Sequence, residues 1–423
     1  INARLAVIPV VLTIGIAAYA QPVENRSELV STLRSKLMAG DPHDHDCFGR
    51  SLAISGRYII VGAKGEDTGA KDSGAAYIFE RKNGDYVQIA KLKAGQPHAN
   101  DYFGFTVGID GETAIVGAWQ DKEKARDAGA VYVFVRQGDS WVQQAKLMAD
   151  DASDFAHFGY FASISGDRIA VGAREENSLA PQAGAAYIFR REGSRWIQEV
   201  RLDPPAPQKS QQFGWSVAID GDRALVGAVA TRMNNVDSGS AYLYRRHGVK
   251  WTLESQFLPS DAKPEQRFGY AVALKGGTAV VGAYRDDSGG FESGAAYIFE
   301  DQDGKWTSGR KVSAGDARAS QFFGWSVAVN GPTVVVGAWY DGDGTKDPLG
   351  SAYVFHKSGD NWVQVRKLVA SQRTPMHLFG WAVGLNDQTV AIGARLDNQA
   401  ASQAGAVYWF DQQQTPSPNP VSH

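Results

Sequence analysis

The chain has 423 residues, with 43 Lys and Arg against 46 Asp and Glu, so its net charge is only -3. That balance, with no Lys/Arg block, excludes a nucleic-acid partner held by phosphate neutralisation and a polybasic membrane-binding surface. A single cysteine, Cys47, excludes an intrachain disulfide, and 47 Gly with 19 Phe, 16 Tyr and 11 Trp favour short strands and tight turns over helices.

Residues 1–20 carry one early positive charge, Arg4, then a mostly apolar run, then small residues at Ala18 and Ala20, the form of a secretory signal cleaved after Ala20. Roughly 20 apolar residues are also long enough to cross a bilayer. If retained, the segment would serve as a membrane anchor or as a helix in a filament core, through which the chain would self-assemble. Export follows from either outcome. Residues 21–27 form a linker. Next, Lys36-Leu37-Met38-Ala39-Gly40 matches Lys91-Leu92-Lys93-Ala94-Gly95 at an offset of 55.

From there a single unit repeats. Phe-Gly stands at 48, 103, 158, 213, 268, 323 and 379, and Gly-Ala at 62, 117, 172, 227, 282, 337 and 393, in steps of 55 and finally 56. A unit this short cannot bury its apolar face alone, so the array is the domain. In the fourth copy Phe213–Ile219 reads as a first strand, and Asp220-Gly221 as a type I′ hairpin turn. Arg223–Ala228 follows as the second strand, Ser238–Tyr244 as the third and Trp251–Phe257 as the fourth, with a turn at His247-Gly248. Four antiparallel strands make a propeller blade, and seven blades predict an all-β, seven-bladed β-propeller over residues 28–410.

The seventh copy ends after its third strand, Gly405–Phe410, and residues 411–423 are a Pro-rich tail unsuited to a sheet interior. Residues 28–38 are therefore expected to supply the missing outer strand, closing the ring and hiding the edges of an open array. The repeat-start Phe residues, the third-strand Tyr residues (Tyr77, Tyr132, Tyr187, Tyr242, Tyr297, Tyr353, Tyr408) and Trp141, Trp196, Trp251, Trp306 and Trp362 are the predicted core between blades.

The runs Phe-Gly-Trp-Ser-Val-Ala, Val-Gly-Ala and Ser-Gly-Ala-Ala-Tyr-Ile-Phe resemble the FG-GAP repeats of the integrin α-subunit propeller, over nearly the whole chain. The resemblance implies a seven-bladed propeller acting outside the cell in adhesion and protein recognition. One departure concerns calcium. Calcium-binding copies in that family carry an Asp-rich loop between the first and second strands, where every copy here has a short turn too small for six to eight oxygen ligands. The acidic run Asp341 to Asp347 falls after a second strand instead and reads as a solvated loop. His43, Asp44, His45 and Asp46, with His98 and His157, have the wrong spacing for a helix-borne zinc site and read as polar surface loops. Neither metal nor cofactor is expected.

A hairpin brings the start of each first strand and the end of each second strand to the same end of the blade. If the first strand is innermost, the positions after Phe-Gly (Phe105, Tyr160, Trp215, Tyr270, Trp325, Trp381, with Arg50 in the first copy) and those after Gly-Ala (Trp119, Tyr284, Trp339) crowd the mouth of the central channel. Two roles are open to these rings: stacking to plug a wide channel, or forming a cup for a cation or a flat hydrophobic group. In integrin α-subunits, axial aromatics on this face receive a basic side chain from the β-subunit, and the resemblance implies a comparable cup here. No nucleophile elbow, His-Glu-x-x-His or phosphate-binding loop is present. The expected function is an exported, non-enzymatic binding or adhesion module that takes a protein or glycan ligand at its loop face, with membrane contact only through residues 1–20. The alternative is a structural subunit of an extracellular filament or surface assembly, displaying the propeller.

Overall fold

A computed structural model describes residues 33–233, 235–342, 348–372 and 374–412. The expectations for residues 1–20, 21–27 and most of the tail fall outside the described residues. Within them the chain is all-β, in seven antiparallel blades. Blade 1 runs outward from Ser51–Ser55 through Tyr58–Ala63 and Ala75–Lys82 to Asp85–Leu92. The other blades repeat that order, with two local departures. Blade 4 carries a small extra hairpin, Arg232–Met233 against Val236–Asp237, and the outer strand of blade 5 is split into Lys305–Trp306 and Arg310–Val312. The innermost strands contact one another around the axis, that of blade 7 touching that of blade 1.

Blade 7 takes Phe379–Leu385, Thr389–Ala394 and Ala406–Asp411 from the end of the chain and Leu33–Leu37 from its beginning. Lys36 pairs with Tyr408 and Leu37 with Val407, so the clasp forms as the repeat phase required. Residues 28–32 lie outside the described residues. The seam between blades 7 and 1 is built like every other seam. The Phe48 amide donates to the Ala404 carbonyl at 2.8 Å, as the Phe103 amide does to Ser73 at 2.9 Å.

Glycines set how closely the blades approach. A Cβ on Gly405, whose φ is +88°, would lie 2.0 Å from the Phe48 carbonyl oxygen, and one on Gly62 would lie 2.0 Å from that of Gly104 in the next blade. Backbones meeting at this distance leave no room for a side chain, which is why the repeat spells Phe-Gly, Gly-Ala and Ser-Gly-Ala.

The hairpin turns differ from expectation. Asp110 pairs with Thr113, so the turn residues are Gly111 and Glu112 rather than Asp110 and Gly111, and only Gly111 has positive φ. This is the type II′ arrangement, which needs glycine first, and the Asp or Ser before it belongs to the strand. Blades 5 and 7 are exceptions: in blade 5 both turn residues, Gly276 and Gly277, have positive φ, and in blade 7 the turn at Asp387 and Gln388 has no glycine and no positive φ.

Each repeat-start Phe is buried edge-on against two third-strand rings, Phe48 lying 5.6 Å from Tyr77 and 5.9 Å from Phe79. Of the outer-strand Trp residues only Trp362 is fully buried; Trp141, Trp196, Trp251 and Trp306 pack partly against the clusters between blades. The outer strand faces solvent on one side, which explains the difference.

Polar groups also enter these seams. Three residues after six of the seven Gly-Ala pairs stands a buried carboxylate, bonded to a cation of the outer strand. The pairs are Glu66–Lys91 (2.8 Å), Asp121–Lys146 (2.7 Å), Glu176–Arg201 (2.7 Å), Asp286–Lys311 (2.7 Å), Asp341–Lys367 (2.7 Å) and Asp397–Lys36 (2.6 Å). Blade 4 has Thr231 and Gln256 at these positions, so both charges are missing together. The last pair ties the clasp strand to blade 7. Asp341, expected in a solvated loop, is instead fully buried and also bonded to Arg318, Ser351 and Tyr353 of its own blade. Residues 343–347 of that loop lie outside the described residues.

A second buried position, two residues before each Phe, faces these carboxylates. In blade 5 the Gln266 amide donates to Asp286 at 2.7 Å, and in blade 7 His377 lies 3.3 Å from Asp397. Blade 1 has Asp46 there, 1% exposed, with one carboxyl oxygen accepting from the His43 amide and the other unpaired, as is one oxygen of Glu66. Burial, with the negative Glu66 nearby and only partly offset by His43 and Lys91, pushes the Asp46 carboxyl up to about 6. An acid raised in the folded state costs nothing below its unfolded value and destabilises progressively as pH rises through about 4 to 6. Asp46→Asn is therefore expected to stabilise the protein by roughly 1–3 kcal/mol at pH 7.5 and to be nearly neutral at pH 4. Thermal unfolding at the two pH values checks this; an equal effect at both would contradict it.

Candidate functional site

The residue before each Phe-Gly (Cys47, Tyr102, His157, Gln212, Arg267, Phe322, Leu378) has a left-handed backbone, with φ between 54° and 59°. The following Gly is also left-handed, so the chain turns sharply at the channel rim and aims the next side chain along the axis. Cys47 is thus one of seven equivalent loop residues, and is buried.

The six first-strand aromatics meet in one circle. Ring centroids are 4.7 Å apart for Phe105–Tyr160, 5.5 Å for Tyr160–Trp215, 5.3 Å for Trp215–Tyr270, 4.6 Å for Tyr270–Trp325 and 4.8 Å for Trp325–Trp381. Arg50 fills the seventh place. Its guanidinium lies 4.0 Å from the Phe105 ring and 5.4 Å from Trp381, closing the circle through cation–π contacts. A second tier sits over the gaps. Trp119 contacts Phe105 and Tyr160 (5.6 and 5.9 Å), Tyr284 contacts Tyr270 and Trp325 (4.5 and 5.2 Å), and Trp339 contacts Trp325 and Trp381 (5.3 and 5.2 Å). All nine aromatic positions singled out in the sequence are thus brought together.

The remaining second-tier positions are cationic or aliphatic. Arg174 lies 4.2 Å from the Tyr160 ring, Arg395 lies 3.8 Å from Trp381, and Lys64 lies 4.8 Å from Tyr102. The mouth is therefore two-sided, with an aromatic arc over blades 5 and 6 and a cationic arc over blades 7 and 1. A cavity of ≈180 Å³ opens among Arg50, Phe105, Tyr160, Tyr270, Trp325 and Trp381. Ligand pockets for drug-sized molecules run ~300–1,000 Å³, so this one suits a single inserted side chain. At the opposite end of the channel a polar cavity of ≈450 Å³ is ringed by hairpin residues including Asp110, Lys275, Asn330 and Asp387.

The FG-GAP repeat pattern matches seven segments, residues 32–79, 86–134, 141–189, 196–244, 251–299, 306–355 and 362–410, one for each blade. The chain belongs to the FG-GAP repeat family. It is similar to integrin alpha-PS3 of Drosophila melanogaster, with 29% identity over 214 residues, which is 46% of this chain and 19% of the integrin. It is likewise similar to integrin alpha-6 of Gallus gallus, with 30% identity over 174 residues, 37% of this chain and 15% of that one. The matched region thus spans less than a fifth of either relative's length.

In this FG-GAP chain the histidine-bearing loops divide. His43 and His98 are exposed, while His157 is buried edge-on to Trp119 at 4.6 Å, its ring nitrogen 3.5 Å from Glu175. Among the described residues no group of three His, Cys, Asp or Glu side chains is placed to hold a metal. Asp44 accepts from the Ser402 amide at 2.9 Å, so the first of these loops also bridges the ring closure.

Proposed function

We propose that the chain is an extracellular, non-enzymatic recognition module that binds a partner protein at the aromatic channel mouth. The observation that carries this reading is the double tier of rings around a small open cavity, in an FG-GAP propeller similar to integrin α-subunits. Trp, Tyr and Arg are the residues that dominate protein interfaces when clustered around a desolvated pocket. Most ring faces in the mouth are already engaged by neighbouring rings, which suits an inserted side chain better than a sugar laid flat on an exposed platform.

The test is adhesion of host cells to surfaces coated with the protein. Trp325→Ala and Trp339→Ala are each expected to raise the half-maximal coating density about thirtyfold, corresponding to a hot-spot loss of about 2 kcal/mol. Lys275→Ala, at the other end of the channel, should leave adhesion unchanged. Loss of adhesion in Lys275→Ala with retention in both Trp variants would move the site to the hairpin end. Loss of adhesion on glycan removal from the cells would replace the protein partner by a sugar.

A further inference from the structure

The cationic arc of the mouth has a chemistry of its own. Arg50 and Lys64 come from blade 1 and Arg395 from blade 7, set side by side because the blade seam brings Gly393 against Gly49, where a Cβ would lie 2.2 Å from the carbonyl oxygen. Among the described residues, no carboxylate bonds to any of the three. Two other cations on this face are neutralised: Arg174 pairs with Glu175 at 2.8 Å and Arg285 with Glu292 at 3.0 Å. Buried polar atoms without partners in the mouth include the Nε of Arg395 and the indole N–H groups of Trp215, Trp339 and Trp381, all of them donors.

Gathering three like charges against low-dielectric ring walls is costly without an anion. The strain is visible in Arg395, whose guanidinium is pushed down to about 10 by burial and then by the neighbouring Arg50. Burial also lowers Lys64, with Arg50 and Arg395 adding to the effect. Guanidinium groups keep their charge at neutral pH, so Arg50 and Arg395 present fixed positive potential and unused donors to whatever enters the mouth, beside the Lys64 amine.

We propose that Arg50, Lys64 and Arg395 form a carboxylate-binding site, which receives an Asp or Glu side chain of the partner protein. The inference rests on the channel mouth being the partner site, and it gives that site a sign: the inserted side chain is acidic, not basic. Arg395 and Arg50 offer planar guanidinium donors suited to a two-oxygen acceptor, and Lys64 adds a point charge from the rim. Trp381, in contact with both arginines, forms the wall beside them and reports on occupancy.

The indole N–H signal of Trp381, assigned by its loss in Trp381→Phe, is followed by NMR in the full chain during titration with small probes. N-acetylglutamate α-amide, whose one carboxylate is the side chain, should shift it saturably, with the α-amides of N-acetylglutamine and N-acetyllysine ineffective. Arg50→Gln and Arg395→Gln should each weaken the glutamate probe about tenfold, as expected for loss of one charge-assisted hydrogen bond. Lys64→Gln, at the rim, should weaken it less while leaving the fold intact, which keeps the test decisive if the arginine variants unfold. Equal response to glutamate and glutamine probes, or no loss in any of the three variants, overturns the site. Binding of the capped lysine probe in preference would overturn it while leaving the mouth as a recognition site, now for a cation. A shift by glucuronate stronger than by the capped glutamate probe would replace the acidic protein partner by an acidic sugar.

Discussion

Lys311→Met is expected to destabilise the protein by about 3–5 kcal/mol, the cost of leaving a buried charge without its partner. Asp286 is fully buried, and Lys311 meets it at 2.7 Å. Burial opposes ionisation of this carboxyl, but the bonds from Lys311 and Ser288 outweigh it and hold Asp286 below its usual range. Its stabilising contribution is therefore present at neutral pH and is lost as pH falls through the carboxylate range. Blade 4 provides the control within the same chain. There Thr231 and Gln256 replace the two charges, and the Gln211 amide reaches Thr231 Oγ1 at 3.3 Å while Gln256 reaches the Tyr242 hydroxyl at 3.3 Å. Copying that arrangement with Asp286→Thr and Lys311→Gln together should recover most of the loss. The remaining partners of Lys311, Asp261 and the Ser288 hydroxyl, are not buried and can be solvated. Denaturant unfolding of the two single variants and the double variant checks the coupling, and additive losses would contradict it.

The ring architecture was legible because it is periodic. Phe-Gly and Gly-Ala at a fixed step imply copies of one unit, and Lys36-Leu37 in phase with Lys91-Leu92 marks a displaced outer strand. The positions of Trp325, Trp381 and their companions follow from hairpin geometry together with the innermost place of the first strand. Polar partners within each blade were less visible. The position three after Gly-Ala is spelled Glu66, Asp121, Glu176, Thr231, Asp286, Asp341 and Asp397, which looks like ordinary loop polarity, and the outer-strand cation and third-strand Tyr that meet the acids stand 10 or more residues away in the chain. A signal was present in the chain itself: where the acid becomes Thr231, the outer-strand cation becomes Gln256, the paired change expected of contacting charges. The type I′ reading of Asp220-Gly221 fails because dipeptide identity alone does not say which residue closes the ladder: Asp220 pairs with Arg223, leaving Gly221 and Asp222 as the turn. Arg50 was legible as the odd member of an aromatic series, but its place closing the circle needed the distance to both neighbours.

Removal of the clasp strand is the other large expected effect. Without Leu33–Leu37 the strand Ala406–Asp411 becomes an open edge, Asp397 loses Lys36, and the buried Leu37 no longer packs in the cluster with Phe48 and Trp409. The ion-pair loss alone is about 3–5 kcal/mol and burial of one Leu adds roughly 1.5–3 kcal/mol. A free edge also invites pairing between chains, so aggregation should accompany the loss of stability.

Amide hydrogen exchange across Ala406–Asp411, compared between a chain beginning at Ser31 and one beginning at Gly40, tests ring closure most directly. Closure predicts deep protection in the longer chain, loss of that protection in the shorter one, and its return when a peptide of residues 31–39 is added. Rapid exchange of this strand in the longer chain, or protection unchanged by the truncation, would show that the ring is not closed by its amino-terminal segment.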